Sequence, residues 1–186
     1  MRIHDITHDD MKNGTGLRVV LWTAGCEHCC KECHNPVTWD PNYGIDFTPW
    51  EESEFFEWLA KPWTEGATFS GGDPLHPNNR NEIGRLCKII KDKYPEKNIW
   101  LYTGYKLKKT NAGFVFENKK GDELNIPWLN LVDVLVDGAF EIETRKEDVK
   151  NNKKVPWRGS SNQGIVDVQK TLSSGEIVYI DDKEFC

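Results

Sequence analysis

The sequence predicts an α/β fold, a partial, open barrel of parallel strands with a β-hairpin inserted into it. Three observations carry that expectation. Short apolar runs alternate with stretches of helical periodicity, the pattern of βαβ units. The chain has 186 residues, enough for one domain with a sizeable core and too few for a complete eight-fold barrel of about 250. No repeat, low-complexity tract or linker divides it, so residues 1–186 read as a single domain.

The first strand is "LRVVLW" (17–22), a short β-branched run that leads straight into a cysteine-rich loop. "TPWEESEFFEWLA" opens a helix, with Thr48 as N-cap, Pro49 in the first turn and Glu51 where a capping box wants a carboxylate. "GATFS" (66–70) is a brief strand that ends in "GGDP". A helix follows over about 79–94, because Ile83, Leu86, Cys87 and Ile90 fall at i, i+3, i+4 and i+7. "NIWLY" (98–102) and "LVDVLVD" (131–137) read as strands. Between them, "GFVFENKKGDELNI" (113–126) has two apolar stretches around "KKGD" and predicts a hairpin, within an insert of about 108–127. The tail "GEIVYI" (175–180) predicts one more strand.

Composition narrows the function. Hydrophobic residues make up 38% and charged residues 29%, as in a folded soluble protein. A formal net charge of −6 weighs against nucleic acid, whose affinity comes from neutralising phosphates. The basic runs "KIIKDKYPEK" and "KNNKK" read as solvated faces. No apolar run of about 18 residues is present, so no membrane partner is expected. The start "MRIHDITHDD" is polar and acidic, unlike a secretory signal, which points to the cytoplasm. In that reducing compartment clustered thiols hold metal or do redox chemistry more often than they form structural bridges.

Cys26, Cys29, Cys30 and Cys33 fall within the stretch "GCEHCCKECHN". Three readings compete. Structural zinc usually takes two separated pairs of ligands, and here the other cysteines are a lone Cys87 and the terminal Cys186. A zinc site from the run alone is cramped even with His28 or His34. A thioredoxin-like C-x-x-C pair leaves Cys26 and Cys29 unexplained. An iron–sulfur cluster normally takes four thiolates, and three at C-x-x-x-C-x-x-C leave one iron open to a substrate. Cys29 then points away, and Cys87 sits on an apolar helical stripe as a small buried hydrophobe.

Four unusual sequences lie at strand carboxyl ends, where α/β sheets place their ligands: the cysteine loop, "SGGDP", "TGY" and "DG". In "SGGDP" the glycines permit a close backbone approach, and Asp73 offers a carboxylate to an ammonium or hydroxyl.

The cysteine loop "CEHCCKEC" after one strand and "SGGDP" after the next together resemble the radical S-adenosylmethionine superfamily. "NGTGLR", "FSGGDPLHP", "IWLYTGYKL", "VDVLVDG" and "WRGSSNQ", in that order, resemble its family of activators of anaerobic ribonucleoside-triphosphate reductase over about residues 10–163, the insert apart. The resemblance implies a partial barrel in which Cys26, Cys30 and Cys33 hold a [4Fe-4S] cluster and S-adenosylmethionine chelates the fourth iron. By the same resemblance Gly71, Gly72 and Asp73 contact the methionine amino group. Glu32 and His34 lie near the adenosyl moiety, and Tyr102, Thr103, Asp137 and Gly138 line the rest of the cavity. Glu32 occupies a position where many superfamily members carry an aromatic residue, so ring stacking on adenine is not available there.

The implied reaction starts from a reduced flavodoxin-like donor. One electron splits S-adenosylmethionine into methionine and a 5′-deoxyadenosyl radical. That radical takes a hydrogen atom from a glycine loop of the reductase large subunit. Two alternatives remain: activation of another glycyl-radical enzyme (or other radical chemistry on the same scaffold), and a non-catalytic zinc or iron–sulfur module. "WRGSSNQ", with Arg158 as its strongest donor, reads as a loop that touches the partner, supports the structure or contacts the cofactor.

Overall fold

The computed structural model describes residues 1–185; Cys186, to which the sequence assigns no role, lies outside the described residues. Its strands are β1 (Arg2–Asp10), β2 (Leu17–Thr23), β3 (Ile45–Asp46), β4 (Thr64–Gly71), β5 (Asn98–Thr103), β6 (Lys106–Thr110), β7 (Gly113–Glu117), β8 (Glu123–Leu124), β9 (Val134–Asp137) and β10 (Gly164–Asp167). Its helices are α1 (Pro49–Leu59), α2 (Arg80–Lys93), α3 (Ile142–Lys150) and α4 (Val168–Ser174).

Seven strands form one sheet in the order β10-β9-β5-β4-β2-β1-β3. The four central strands β2, β4, β5 and β9 run parallel. They are the apolar runs read from the sequence, and a parallel sheet buries such runs on both faces. The outer strands β1, β3 and β10 are antiparallel to their neighbours. The fold is therefore mixed α/β with a mostly parallel sheet.

Side chains alternate across the sheet with period two. Val19, Leu21, Ala67, Phe69, Ile99, Leu101 and Leu135 join Phe55 and Leu59 of α1 and Ile83, Leu86, Cys87 and Ile90 of α2 in one core. All four α2 positions picked out by the helical spacing are fully buried. On the other face Trp100, Val136 and Ile165 pack with Tyr102, Val134, Trp157, Ile180 and Phe185. Arg18, on the same strand as Val19, is also fully buried. Its guanidinium donates to Thr68 Oγ1 (2.6 Å), Ala67 O (2.6 Å) and Thr15 O (3.0 Å), and its Cζ lies 5.4 Å from the Trp100 ring centre. Burial lowers its pKa to about 10.

Several features differ from the sequence expectation. The insert is not a lone hairpin but a separate three-stranded sheet, β6-β7-β8. The expected turn does pair Phe116 with Leu124, and the highly charged β6 adds a strand on the other side of β7. β1 and α3 carry little apolar pattern, so hydrophobic periodicity marks neither of them. The same holds for β10, of only four residues. "GEIVYI" forms no strand: Gly175 ends α4 in the left-handed conformation, and only a bridge from Tyr179 to Val166 follows.

Candidate functional site

The register of the parallel strands brings their carboxyl ends level. Thr23 pairs with Gly71, and Thr103 pairs with Asp137. Beyond these ends lies a cavity of about 810 Å³, open mouth included. It is lined by Cys26, Cys30 and Cys33, by Ser70, Gly71 and Gly72 after β4, by Tyr102, Thr103 and Gly104 after β5, and by Gly138, Ala139 and Phe140 after β9.

The cysteine loop is held by main-chain bonds from Gly25 N to Thr38 O (2.8 Å) and from Cys26 N to Trp39 O (3.1 Å). Cys29 and Glu32 take positive φ of 46° and 56°. Non-glycine residues rarely enter that region, and they cluster where a loop is shaped around a ligand. Cys26, Cys30 and Cys33 face the cavity, while Cys29 is exposed and lies off it. Burial, with the Asp73 carboxylate adding to it, pushes the Cys26 thiol up to about 12. Burial also raises Cys30, against the pull of Lys119. Metal binding to such thiols must displace their protons.

The two glycines of "SGGDP" serve the join between loops. Gly71 has φ of 104°, and an added Cβ would sit 2.6 Å from Thr23 N. A Cβ on Gly72 would sit 2.5 Å from Gly25 O and 2.8 Å from Thr38 O. The β4 loop therefore lies directly on the backbone of the cysteine loop, and its main chain still faces the cavity.

Asp73 is 1% exposed and does not line the cavity. Its Oδ2 accepts from His28 Nε2 (2.7 Å), Thr103 Oγ1 (2.9 Å) and Gly104 N (3.0 Å), and its Oδ1 from Leu75 N (2.7 Å). These four donors occupy both oxygens of the carboxylate. The carboxylate ties the cysteine loop, through His28, to the ends of β4 and β5.

Asp137 is likewise buried, with its pKa raised by burial, and it accepts from Lys106 Nζ (2.8 Å), Leu107 N (2.8 Å) and Gly164 N (3.2 Å). It stands outside the cavity lining. So does Glu32, an exposed residue 3.6 Å from Lys146 Nζ. His34, Gly71, Gly72, Tyr102, Thr103 and Gly138 do line it. The Tyr102 hydroxyl donates to Trp157 O (2.6 Å). The structure adds His28, Trp39, Phe140, Gly159 and Gln163 to the lining. His28 lay in plain view within the cysteine run, and Gly159 and Gln163 belong to "WRGSSNQ". Arg158 of that segment instead pairs with Asp182 at 2.7 Å.

Three thiols from one loop, soft ligands suited to iron–sulfur clusters, face a cleft whose remaining walls are mostly main chain and apolar. Among the described residues no three His, Cys, Asp or Glu side chains converge as ligands of a single metal ion would. Thiolates are the donors an iron–sulfur cluster takes, so the chemistry of the three thiols suits such a group.

Fold and site together define an iron–sulfur α/β protein. Residues 12–166 match the family model described as a 4Fe-4S single cluster domain. The chain is 43% identical to the anaerobic ribonucleoside-triphosphate reductase-activating protein of Enterobacteria phage T4 over 158 residues, 84% of this chain and 87% of that one. It is 38% identical to the protein of the same name from Escherichia coli K12 over 167 residues, 89% of this chain and 97% of the relative. The Vibrio cholerae counterpart is 35% identical over the same shares. The chain belongs to the family of anaerobic ribonucleoside-triphosphate reductase-activating proteins.

Proposed function

We propose that this chain is a radical S-adenosylmethionine enzyme that installs the glycyl radical of an anaerobic ribonucleoside-triphosphate reductase. The observation that carries the reading is the division of the cysteine run. Three thiols face the cavity and the fourth does not, so a cluster bound there keeps one iron without a protein ligand. Cys26, Cys30 and Cys33 hold the cluster. When bound, cluster and S-adenosylmethionine supply a 5′-deoxyadenosyl radical that removes a hydrogen atom from a glycine of the reductase.

The chain's own residues bind, orient and exclude. The main chain at Gly71 and Gly72 runs beside the thiols and offers the closest approach to the methionine end of the cofactor. His34, Tyr102, Thr103 and Gly138 shape the walls around the rest. Asp73 acts from behind the wall, through His28 and Thr103, as a brace. Trp39 and Phe140 keep water from part of the cavity, which a reactive radical requires. The seven-stranded sheet serves as the open barrel of this superfamily, and residues 1–186 act as one domain in the cytoplasm. The electron comes from a reduced flavodoxin-like protein.

Anaerobic reconstitution with iron and sulfide, followed by dithionite and S-adenosylmethionine, tests the reading. The expected product is 5′-deoxyadenosine, and its absence from a fully loaded sample rejects the proposal. Iron and sulfide analysis adds a second readout. Cys30→Ala should lose the cluster and Cys29→Ala should keep it; loss in the Cys29 variant overturns the ligand set.

A further inference from the structure

A second concavity lies beside the cofactor cavity. Lys106, Glu117 and Lys119 of the small sheet form one wall, and Glu141 and Asn162 form the other. Gly104, Gly138 and Ala139 line both concavities, so the two form one continuous trough. The sequence left the insert that builds the first wall without a function.

We propose that this trough seats the glycine-bearing segment of the reductase, in extended form, and that the small sheet is its docking ledge. The inference rests on the radical-transfer reading above. Under that reading the hydrogen donor is a main-chain CH₂ of a large protein, which must reach the cavity at the end of a strand of polypeptide. The shared floor carries no side chain larger than a methyl, so a backbone can lie close against it.

Asn162 adds a separate observation. Its Nδ2 donates to Ala139 O at 2.9 Å, which fixes the orientation of the amide. Its Oδ1 is buried and has no hydrogen-bond partner. Buried acceptors are rarely left in that condition. Asn162 lines the trough, and a small movement of its side chain on docking would bring this acceptor to a main-chain N–H of the seated segment. Lys119 Nζ and Glu141 Oε1 lie 3.5 Å apart on the two walls, with side chains 56% and 44% exposed. Such surface pairs separate at little cost, so this one can part to admit the segment.

The test fills the trough without touching the cofactor cavity. Glu117→Trp and Glu141→Trp, both at the trough, are each reconstituted alongside the native protein and assayed twice. Cleavage of S-adenosylmethionine by dithionite-reduced protein alone should stay within about twofold of native. Glycyl radical formed on the cognate reductase, counted by electron paramagnetic resonance, should fall at least tenfold. Intact cleavage with undiminished radical yield in both variants overturns the trough assignment and leaves the radical-transfer reading standing. No cleavage by the native protein removes that reading and this inference with it. A photocrosslinking amino acid at position 119 checks the occupant: adducts should map to the glycine-bearing segment, and adducts confined to another part of the reductase overturn the assignment.

Discussion

Asp73 shows how one carboxylate can look like a ligand in sequence and act as a brace in space. Following a Gly-Gly pair at a strand end, it invites the reading of an ammonium clamp. What the letters cannot show is that His28, 45 positions earlier, reaches it, or that Thr103 and Gly104 close over it from β5. Glu32 and Asp137 likewise stand off the cavity lining, since a residue's place in a motif does not fix the direction of its side chain. The cysteine run was legible as a cluster of thiols at a strand end, and Cys26, Cys30 and Cys33 do line the cavity while Cys29 is exposed. His28 and Asp73 should be energetically coupled. In apo-protein unfolded by urea, a cycle of His28→Ala, Asp73→Asn and the double variant should show an interaction of roughly 0.5–3 kcal/mol. Strict additivity would mean that the hydrogen bond contributes nothing to holding the loop.

Among the elements, those with a strong period declared themselves. The buried stripe of α2 and the β-branched run of β2 are unambiguous, and so is the start of α1. There Thr48 Oγ1 accepts from Trp50 N (3.2 Å), and Thr48 N donates to Glu51 Oε2 (2.9 Å). Thr48→Ala should lower stability by about 1 kcal/mol, the usual cost of a lost N-cap, measured by urea denaturation. No change would mean that tertiary packing alone sets the start of α1. The elements that stayed hidden are half-polar. In β1, "RIHDITHDD", only Ile3 is buried, and in α3 the one buried residue is Asp148. Each is held by what it packs beside rather than by its own pattern, and hydrophobic periodicity cannot report that. "GEIVYI" misled for the opposite reason, with strand-like composition and almost no strand to pair with.

On the scale of the whole molecule, the sheet has two differently covered faces. Helices α1 and α2 cover one. The other is closed by a loop and the chain's end, where the rings of Trp100, Trp157 and Phe185 stand about 6.2 Å apart. Arg158 pairs with Asp182 in the same cover. Phe185→Ala should therefore destabilise the protein by about 2 kcal/mol, less than the roughly 3–5 of a fully buried phenylalanine. It should also shift the tryptophan emission to longer wavelength, and unaltered emission would show that the end of the chain does not cover these rings.

The contact of Gly71 with the end of β2, and of Gly72 with the cysteine loop, has a consequence for how such a protein can diversify. It is a seam of main chain on main chain, in which an extra carbon would strike peptide atoms that have no rotamer to yield. Substitutions can accumulate freely on the outward sides of both segments, but the seam itself admits none singly. The two loops are bound to change shape together or not at all, and an engineer seeking to redirect this chemistry would do better to leave the seam untouched and vary the far wall.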